Sequence, residues 1–119
     1  MLTSIGRFLR KLRIDHGEIL YDMANKLGVT ASFLSAVENG KKKMPSVWNK
    51  KICDLYALNK SQKEEFTTAI AETEETIELE LEGNNTLHRE VAVSFARSLP
   101  EMDDIQIEAI RKILLNGEK

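Results

Sequence analysis

The chain of 119 residues contains little cysteine, proline or glycine: one Cys, two Pro and six Gly. Its single cysteine, Cys53, excludes an internal disulfide and fits a reducing compartment. No apolar run approaches the length of a membrane span. The charged opening MLTSIGRFLRKLRI does not match a secretory signal. These absences predict a cytoplasmic protein that does not contact a membrane.

Motifs that carry catalytic or metal chemistry are also missing. The sequence has no glycine-rich phosphate loop, no Cys-x-x-Cys and no His-Glu-x-x-His. The two histidines, His16 and His88, lie far apart in the sequence, without neighbouring metal ligands. Adjacent glutamates fall on the solvated faces of predicted helices. We therefore expect no enzymatic activity, no cofactor and no metal.

The net charge of −2 hides a division along the chain. Residues 1–60 carry eleven Lys/Arg and five Asp/Glu, whereas residues 61–119 carry six Lys/Arg and fourteen Asp/Glu. A basic first half attracts a polyanion, and an acidic second half is repelled from the same surface. The charge pattern therefore favours nucleic-acid binding by the first half alone.

Apolar residues at helical spacing predict five short helices in the first half. The first has Ser4 as N-cap and ends at Gly17, and the second is YDMANKLG. Gly28 is expected at positive φ in a tight turn, and Thr30 caps the third helix, ASFLSAVE. The fourth helix has an inward stripe of Trp48, Ile52, Leu55 and Tyr56. The fifth is capped by Ser61, with Phe66 and Ile70 facing inward.

The second and third predicted helices carry the main functional signal. Ala24, Gly28 and Leu34 have helix-turn-helix spacing, and a bulky residue at Ala24 would hold the two helices apart. The third helix then stops at Asn39-Gly40 and is followed by three lysines and a proline. The run LGVTASFLSAVENGKKKMPS resembles the G-V-S-x-S-Y-L-S-x-I-E-x-G-K-x-x-P-S run of the Cro/repressor (XRE) family of DNA-binding regulators.

This resemblance implies a mainly α fold and assigns roles to individual residues. A five-helix, lambda-repressor-like helix-turn-helix domain is expected over residues 1–72, with the third helix in the major groove of double-stranded DNA. Ala31, Ser32, Ser35 and Ala36 then face the bases, and Lys41 and Lys43 contact phosphate, assisted by the backbone N–H groups around Asn39 and Gly40. Glu38 is expected to be structural, paired with Arg10 or Arg13. The DNA-binding residues implied are Arg10, Tyr21, Thr30, Ala31, Ser32, Phe33, Ser35, Ala36, Asn39, Lys41 and Lys43.

The sequence departs from the family pattern in two places. Leu20 and Tyr21 stand where Ser or Thr and then Gln usually open the second helix, so only the Tyr21 hydroxyl remains as a donor to phosphate. The base-facing positions carry small side chains, which cannot make the forked contacts that distinguish bases strongly. Direct readout should therefore be modest, with DNA shape contributing. Phe33 is open to two interpretations, a contact to DNA or a residue at the edge of the core.

Residues 73–119 form a C-terminal tail for which we predict a strand and two helices. TIELELEG alternates Ile77, Leu79 and Leu81 with glutamates, which favours a strand over a helix. TLHREVAVSFARSL is an amphipathic helix with Leu87, Val91, Phe95 and Leu99 inward, and DDIQIEAIRKILLNG is a second, capped by Asp103 with Gln106. The strand needs a partner from a second copy of the chain or from another protein. The tail either folds back on the five-helix unit or, as we expect, makes a homodimer. The residues assigned to dimerisation are Ile77, Leu79, Leu81, Val91, Phe95 and Ile110.

Two classes of function remain from the sequence. The first is a sequence-specific transcriptional regulator, a repressor, that binds an inverted-repeat operator as a homodimer. The second is an antitoxin-like protein whose tail neutralises a partner protein and whose helix-turn-helix autoregulates its operon. The capped, amphipathic helices of the tail favour the first, because segments that fold only on a partner tend to be poorer in apolar residues.

Overall fold

The computed structural model describes residues 1–117 and divides the chain into two compact units, Met1–Ile77 and Glu78–Lys119. The first unit contains helices α1 (Ser4–Asp15), α2 (Leu20–Leu27), α3 (Ala31–Glu38), α4 (Trp48–Leu55) and α5 (Lys60–Thr73). The second contains α6 (Thr86–Ser98), a short 3₁₀ helix (Leu99–Glu101) and α7 (Asp104–Gly117). The mainly α class predicted from the sequence is confirmed. The units divide after Ile77, whereas the sequence placed the boundary after residue 72, inside α5.

Side-chain caps fix where most of the helices begin. Thr30 accepts a hydrogen bond from the Phe33 N–H at 3.1 Å, as predicted. The capping box of Asp103 with Gln106, also predicted, has both bonds, at 2.8 and 3.1 Å. Two predicted caps are wrong by one or two residues. Thr3, not Ser4, caps α1, and Asn59 caps α5 through a capping box with Gln62, so Ser61 lies inside the helix.

The core of the first unit is built from all five of its helices. Its buried apolar residues are Ile5, Leu9, Leu12, Met23, Ala24, Leu27, Leu34, Val37, Met44, Trp48, Ile52, Tyr56, Leu58, Phe66 and Ala69. Phe8 and Phe66 stack at 4.9 Å and join α1 to α5. Leu55, predicted to face inward, is 41% exposed. Tyr56 is buried, as predicted, and Leu58 takes a core position in place of Leu55, because the chain turns through Ala57 at φ +46°.

The predicted strand over TIELELEG is wrong. Residues 1–117 contain no strand, and residues 74–81 run without regular hydrogen bonding to any ladder partner. The physical reason is that alternating Glu and Leu gives a strand only if a second strand satisfies its backbone. Ile77 and Leu79 are exposed in this segment, and Leu81 is half-buried. These three residues therefore do not form the apolar face of a sheet.

The second unit has helices but no buried residue between residues 78 and 117. Leu87, Val91 and Leu99, predicted to face inward on α6, are all exposed. Phe95 on α6 and Ile110 on α7 are half-buried. Within residues 1–117 no helix is long and apolar enough to cross a membrane.

Candidate nucleic-acid interface

Helices α2 and α3 pack against each other across a turn of three residues, Gly28 to Thr30. Gly28 ends α2 at φ +72°, the left-handed conformation that glycine adopts without strain. Ala24 is 1% exposed, so its small side chain lies in the core beside the turn. The Val29 N–H donates to the Ala24 carbonyl oxygen at 3.0 Å, which closes the end of α2. The tight turn predicted between the two helices, with Gly28 at positive φ and Ala24 buried, is therefore present.

The start of α2 is built differently from the usual pattern, as its sequence indicated. Its N-cap residue is Ile19, whose side chain cannot accept a hydrogen bond. The Asp22 carboxylate compensates by accepting from the Ile19 N–H at 2.9 Å. Tyr21 is 60% exposed, which leaves its hydroxyl accessible at the solvent surface. Tyr21 is therefore available for a contact, while Asp22 has a structural role.

The face of α3 that points away from the core carries small side chains. Leu34 and Val37 are buried, Ser32 is exposed, and Ala31, Ser35 and Ala36 are half-buried. The Thr30 hydroxyl oxygen is occupied as the helix cap. A flat surface of this kind lets another molecule approach the helix backbone closely. By the 100° step of the helix the predicted base-facing residues share one side of α3, and Ala31 lies at the edge of that side, where it packs against the core.

The Phe33 side chain packs at the edge of the core and is not fully exposed to solvent. Its ring packs edge-to-face on Trp48 of α4, with centroids 6.1 Å apart, and the side chain is half-buried. The contact fixes the start of α3 against α4. Of the two interpretations left open by the sequence, the structure supports packing at the core edge, and a part of the ring stays exposed.

The loop after α3 presents three exposed lysines, Lys41 to Lys43. The backbone N–H groups from Asn39 to Lys42 are already occupied: Asn39 donates to Ser35 and Gly40 to Val37, while Lys41 and Lys42 both donate to the Ala36 carbonyl oxygen, at 2.8 and 3.2 Å. The Asn39 side-chain amide also donates to the Ser35 carbonyl oxygen, at 2.9 Å. The expectation that backbone N–H groups around Asn39 and Gly40 are available for phosphate is therefore wrong. The lysine ammonium groups are therefore the main donors left for an anion at this loop.

One side of this loop also faces negative charge. Lys42, Lys43, Glu74 and Glu75 line a common open cleft of about 360 Å³. The two carboxylates lower the positive potential around Lys42 and Lys43. Lys41 does not line this cleft, so its charge is offset less.

A buried ion pair ties α3 to α1. Both guanidinium nitrogens of Arg13 donate to the Glu38 carboxylate, one of them at 3.1 Å, and the two residues are only 7% and 4% exposed. Arg13 also contacts the Met23 sulfur at 3.4 Å, which brings α2 into the same cluster. The structural role predicted for Glu38 is confirmed, and Arg13 is its partner. Arg10 is exposed on α1 and remains available to solvent.

The end of α3 is held by contacts that sequence reasoning missed. The Thr3 N–H and hydroxyl both donate to the Glu38 carbonyl oxygen, at 3.0 and 3.1 Å. A β-carbon on Gly6 would lie 2.2 Å from the same oxygen. The signal in the sequence was Gly6 itself, because glycine inside a helix is costly unless close packing requires it.

A second polar cluster joins the α1–α2 connection to α4. The Tyr56 hydroxyl donates to the Glu18 carboxylate at 2.6 Å, and Lys26 forms an ion pair with Glu18 and lies 4.8 Å from the centre of the Tyr56 ring. Burial tends to raise the pKa of Glu18, but hydrogen bonds from Lys26 and Tyr56 outweigh it and lower the pKa. Burial and then the bond to Glu18 raise the pKa of Tyr56. Sequence reasoning did not identify this cluster.

No metal site accompanies these elements: among residues 1–117, no group of three or more His, Cys, Asp or Glu side chains could hold a metal ion. Comparison of the chain with models of known protein families, with curated proteins and with solved structures gives no match.

Proposed function

We propose that this protein is a sequence-specific, DNA-binding transcriptional regulator that acts as a repressor. It binds double-stranded DNA through α3 and the lysine loop and recognises an inverted-repeat operator as a homodimer. The proposal rests on two surfaces that follow each other along the chain in the first unit, the outer face of α3 and the lysine loop. An accessible α3 face of small side chains is followed directly by three exposed lysines, on a helix fixed to α1 by the buried Arg13–Glu38 pair.

Each surface has a physical task in this proposal. α3 enters the major groove, which is wide enough for a helix, and its small side chains allow a close approach. Lys41 and Lys43 lie along the phosphates and supply most of the affinity by releasing counterions. Tyr21 and Arg10 are exposed polar groups that can add phosphate contacts. Serine hydroxyls and alanine methyl groups give modest base discrimination, so DNA shape contributes to the choice of site.

A second copy of the chain supplies the affinity for DNA that a single α3 lacks, because its small side chains make few contacts to the bases. Joining two units raises the effective concentration of the second and strengthens binding by about 10²–10⁴-fold without new contacts. Two-fold symmetry then places half-sites one helical turn apart, roughly 34 Å. A protein that occupies such an operator in the cytoplasm, on the nucleoid, blocks access to the DNA beneath it, which is the basis for proposing repression.

One observation favours a second candidate function. Apolar side chains on α6 and α7 are exposed, and none between residues 78 and 117 is buried. An antitoxin-like protein would use such a surface to bind and neutralise a partner protein, with DNA binding as autoregulation. The regulator remains the first proposal because α6 and α7 are both capped by their own side chains.

Selection of bound duplexes from a random DNA pool, at a stated salt concentration, tests the proposal. We expect enrichment of an inverted repeat with half-sites about one helical turn apart. The Lys41→Ala, Lys43→Ala double variant serves as the control and should enrich the same sequence less efficiently. A pool that shows no enrichment after repeated rounds with the full chain would contradict sequence-specific binding.

A further inference from the structure

Helix α7 is apolar on more than one side. Ile107 and Ile110 are half-buried, whereas Ile105 and Ile113 are 81% and 70% exposed. A helix on the surface of a globular protein keeps its apolar residues in one stripe, and a helix that is apolar around its circumference is normally covered. Since the unit from residue 78 buries no residue through residue 117, its own helices do not provide that cover. A unit of this size usually needs an additional partner to be stable.

The uncovered residues form a regular stripe. Ile105, Ala109 and Ile113 follow each other at intervals of four, so they lie within about 80° of arc on one face of the helix. All three are exposed. Ala109 lies at the centre, where its small side chain allows a second helix to approach closely. The stripe is therefore shaped to pack against another helix.

The charges beside the stripe indicate which helix packs against it. Glu108 and Lys112 lie on the same flank of the stripe, by the 100° step of the α-helix. Lys112 is exposed and makes no ion pair within residues 1–117, and Glu108, half-exposed, contacts only Arg111, at 3.3 Å. If a second α7 packs antiparallel with the two-fold axis at Ala109, each Glu108 lies within about 3 Å, along the axis, of the partner's Lys112. A parallel copy related by a two-fold axis would instead place the two charged flanks on opposite sides of the seam, where Glu108 and Lys112 could not pair across it.

We propose that α7 forms an antiparallel seam with α7 of a second copy of this chain, with Ile105, Ala109 and Ile113 inside and Glu108 paired with the partner's Lys112. This seam replaces the strand over TIELELEG as the basis of the homodimer. The inference deepens the proposed function by naming the surface that brings two reading helices together. Its observations do not depend on DNA binding, since α7 and α3 belong to different units.

Reversing the charge of Glu108 or Lys112 in the full chain, without DNA, tests whether the two α7 helices pair in this way. Glu108→Lys and Lys112→Glu, each alone, place like charges across the seam twice. We expect the dissociation constant of the dimer, measured by analytical ultracentrifugation, to rise about tenfold or more. Arg111→Glu is the control matched to Lys112→Glu: it makes the same charge change one residue away, on the opposite side of the helix, and should leave the dimer intact.

Mixing the two single variants supplies the decisive result. A mixed dimer has one chain with lysines and the other with glutamates at both positions, so both pairs across the seam become complementary and dimerisation should return. Circular dichroism of each variant checks that α7 stays helical. Failure of the mixture to recover dimers, with the wild-type chain dimeric, would overturn the antiparallel seam. A wild-type chain that stays monomeric would overturn the second copy as occupant and favour a different protein partner, and neither result depends on whether DNA is bound.

Discussion

A β-carbon on Gly6 would lie 2.2 Å from the carbonyl oxygen of Glu38, closer than any two such atoms can pack. The contact is with backbone, so a flexible side chain cannot relieve it. Gly6→Ala must push α1 away from the end of α3, where Thr3 also donates to that oxygen. We expect Gly6→Ala to lower the free energy of unfolding by about 3 kcal/mol or more, measured by urea denaturation.

A neighbouring exposed position provides the control for this prediction. Arg10→Ala on the same helix should change the free energy of unfolding by less than about 0.5 kcal/mol. Equal stability of Gly6→Ala and the wild type would mean that α1 and α3 are not packed this closely.

The bond between Tyr56 and Glu18 makes stability depend on pH at both extremes. The pKa of Tyr56 is raised above its ordinary value of 10.0, so the folded phenol keeps its proton where the unfolded one loses it. The contribution of the Tyr56 hydroxyl to the free energy of unfolding is therefore fully present below pH 10, and it falls as the pH rises beyond 10. The pKa of Glu18 is lowered from 4.5, so its contribution is present above that pH and is lost as pH falls.

Tyr56→Phe should remove the alkaline limb of this profile and flatten the acid limb in part, because Lys26 still lowers the pKa of Glu18. Urea denaturation at about pH 4, 7 and 10.5 would measure it, with a loss of about 1 kcal/mol at neutral pH from the missing hydrogen bond. A variant whose stability changes with pH as steeply as the wild type would show that other groups control the profile.

Glu74 and Glu75 should weaken the attraction of DNA to the lysine loop, because they line the same cleft as Lys42 and Lys43. The double change Glu74→Gln, Glu75→Gln should tighten binding to all DNA sequences alike, most visibly at low salt. Fluorescence anisotropy with a labelled duplex would detect the change. Glu64→Gln, on the exposed surface of α5, is the control for a general change in net charge.

Ser32 is the most accessible of the residues proposed to face the bases. Ser32→Gln introduces a forked amide that can bond adenine in the major groove, at about 1–3 kcal/mol of discrimination. The sequence preference in a duplex selection should shift at one position of each half-site. Ser61→Gln, an exposed serine on α5, should leave the preference unchanged. An unaltered preference in Ser32→Gln would show that α3 does not read bases.

Local features of the first unit could be predicted from the sequence because neighbouring residues determine them. The cap at Thr30, the positive φ of Gly28 and the end of α3 each depend on a few adjacent residues. The choice between Arg10 and Arg13 as partner of Glu38 needed the packing of α1 on α3, which the sequence does not specify. The role of Gly6 was missed for the same reason.

The errors also have physical causes. Alternation of Glu and Leu after Ile77 predicted a strand, but a strand requires a hydrogen-bonded neighbour, which is not a local property. The N–H groups after α3 were expected to be free, whereas the loop turns back and donates them to the Ser35, Ala36 and Val37 carbonyls. The inward-facing residues of α6 were assigned on the expectation that a second copy of the chain covers them, and for a dimer that assignment stays a prediction.

The salt dependence of DNA affinity tests the central claim most directly. We would measure the dissociation constant of the full chain for its selected duplex over a range of salt concentrations. Lys41→Ala with Lys43→Ala should reduce the slope of log affinity against log salt by about one for each lysine. Lys11→Ala with Lys60→Ala removes the same charge, with Lys11 ion-paired to Glu65 at 3.7 Å on the side of α1 that faces α5, and should keep the wild-type slope. Equal slopes for all three proteins would contradict phosphate binding by the lysine loop.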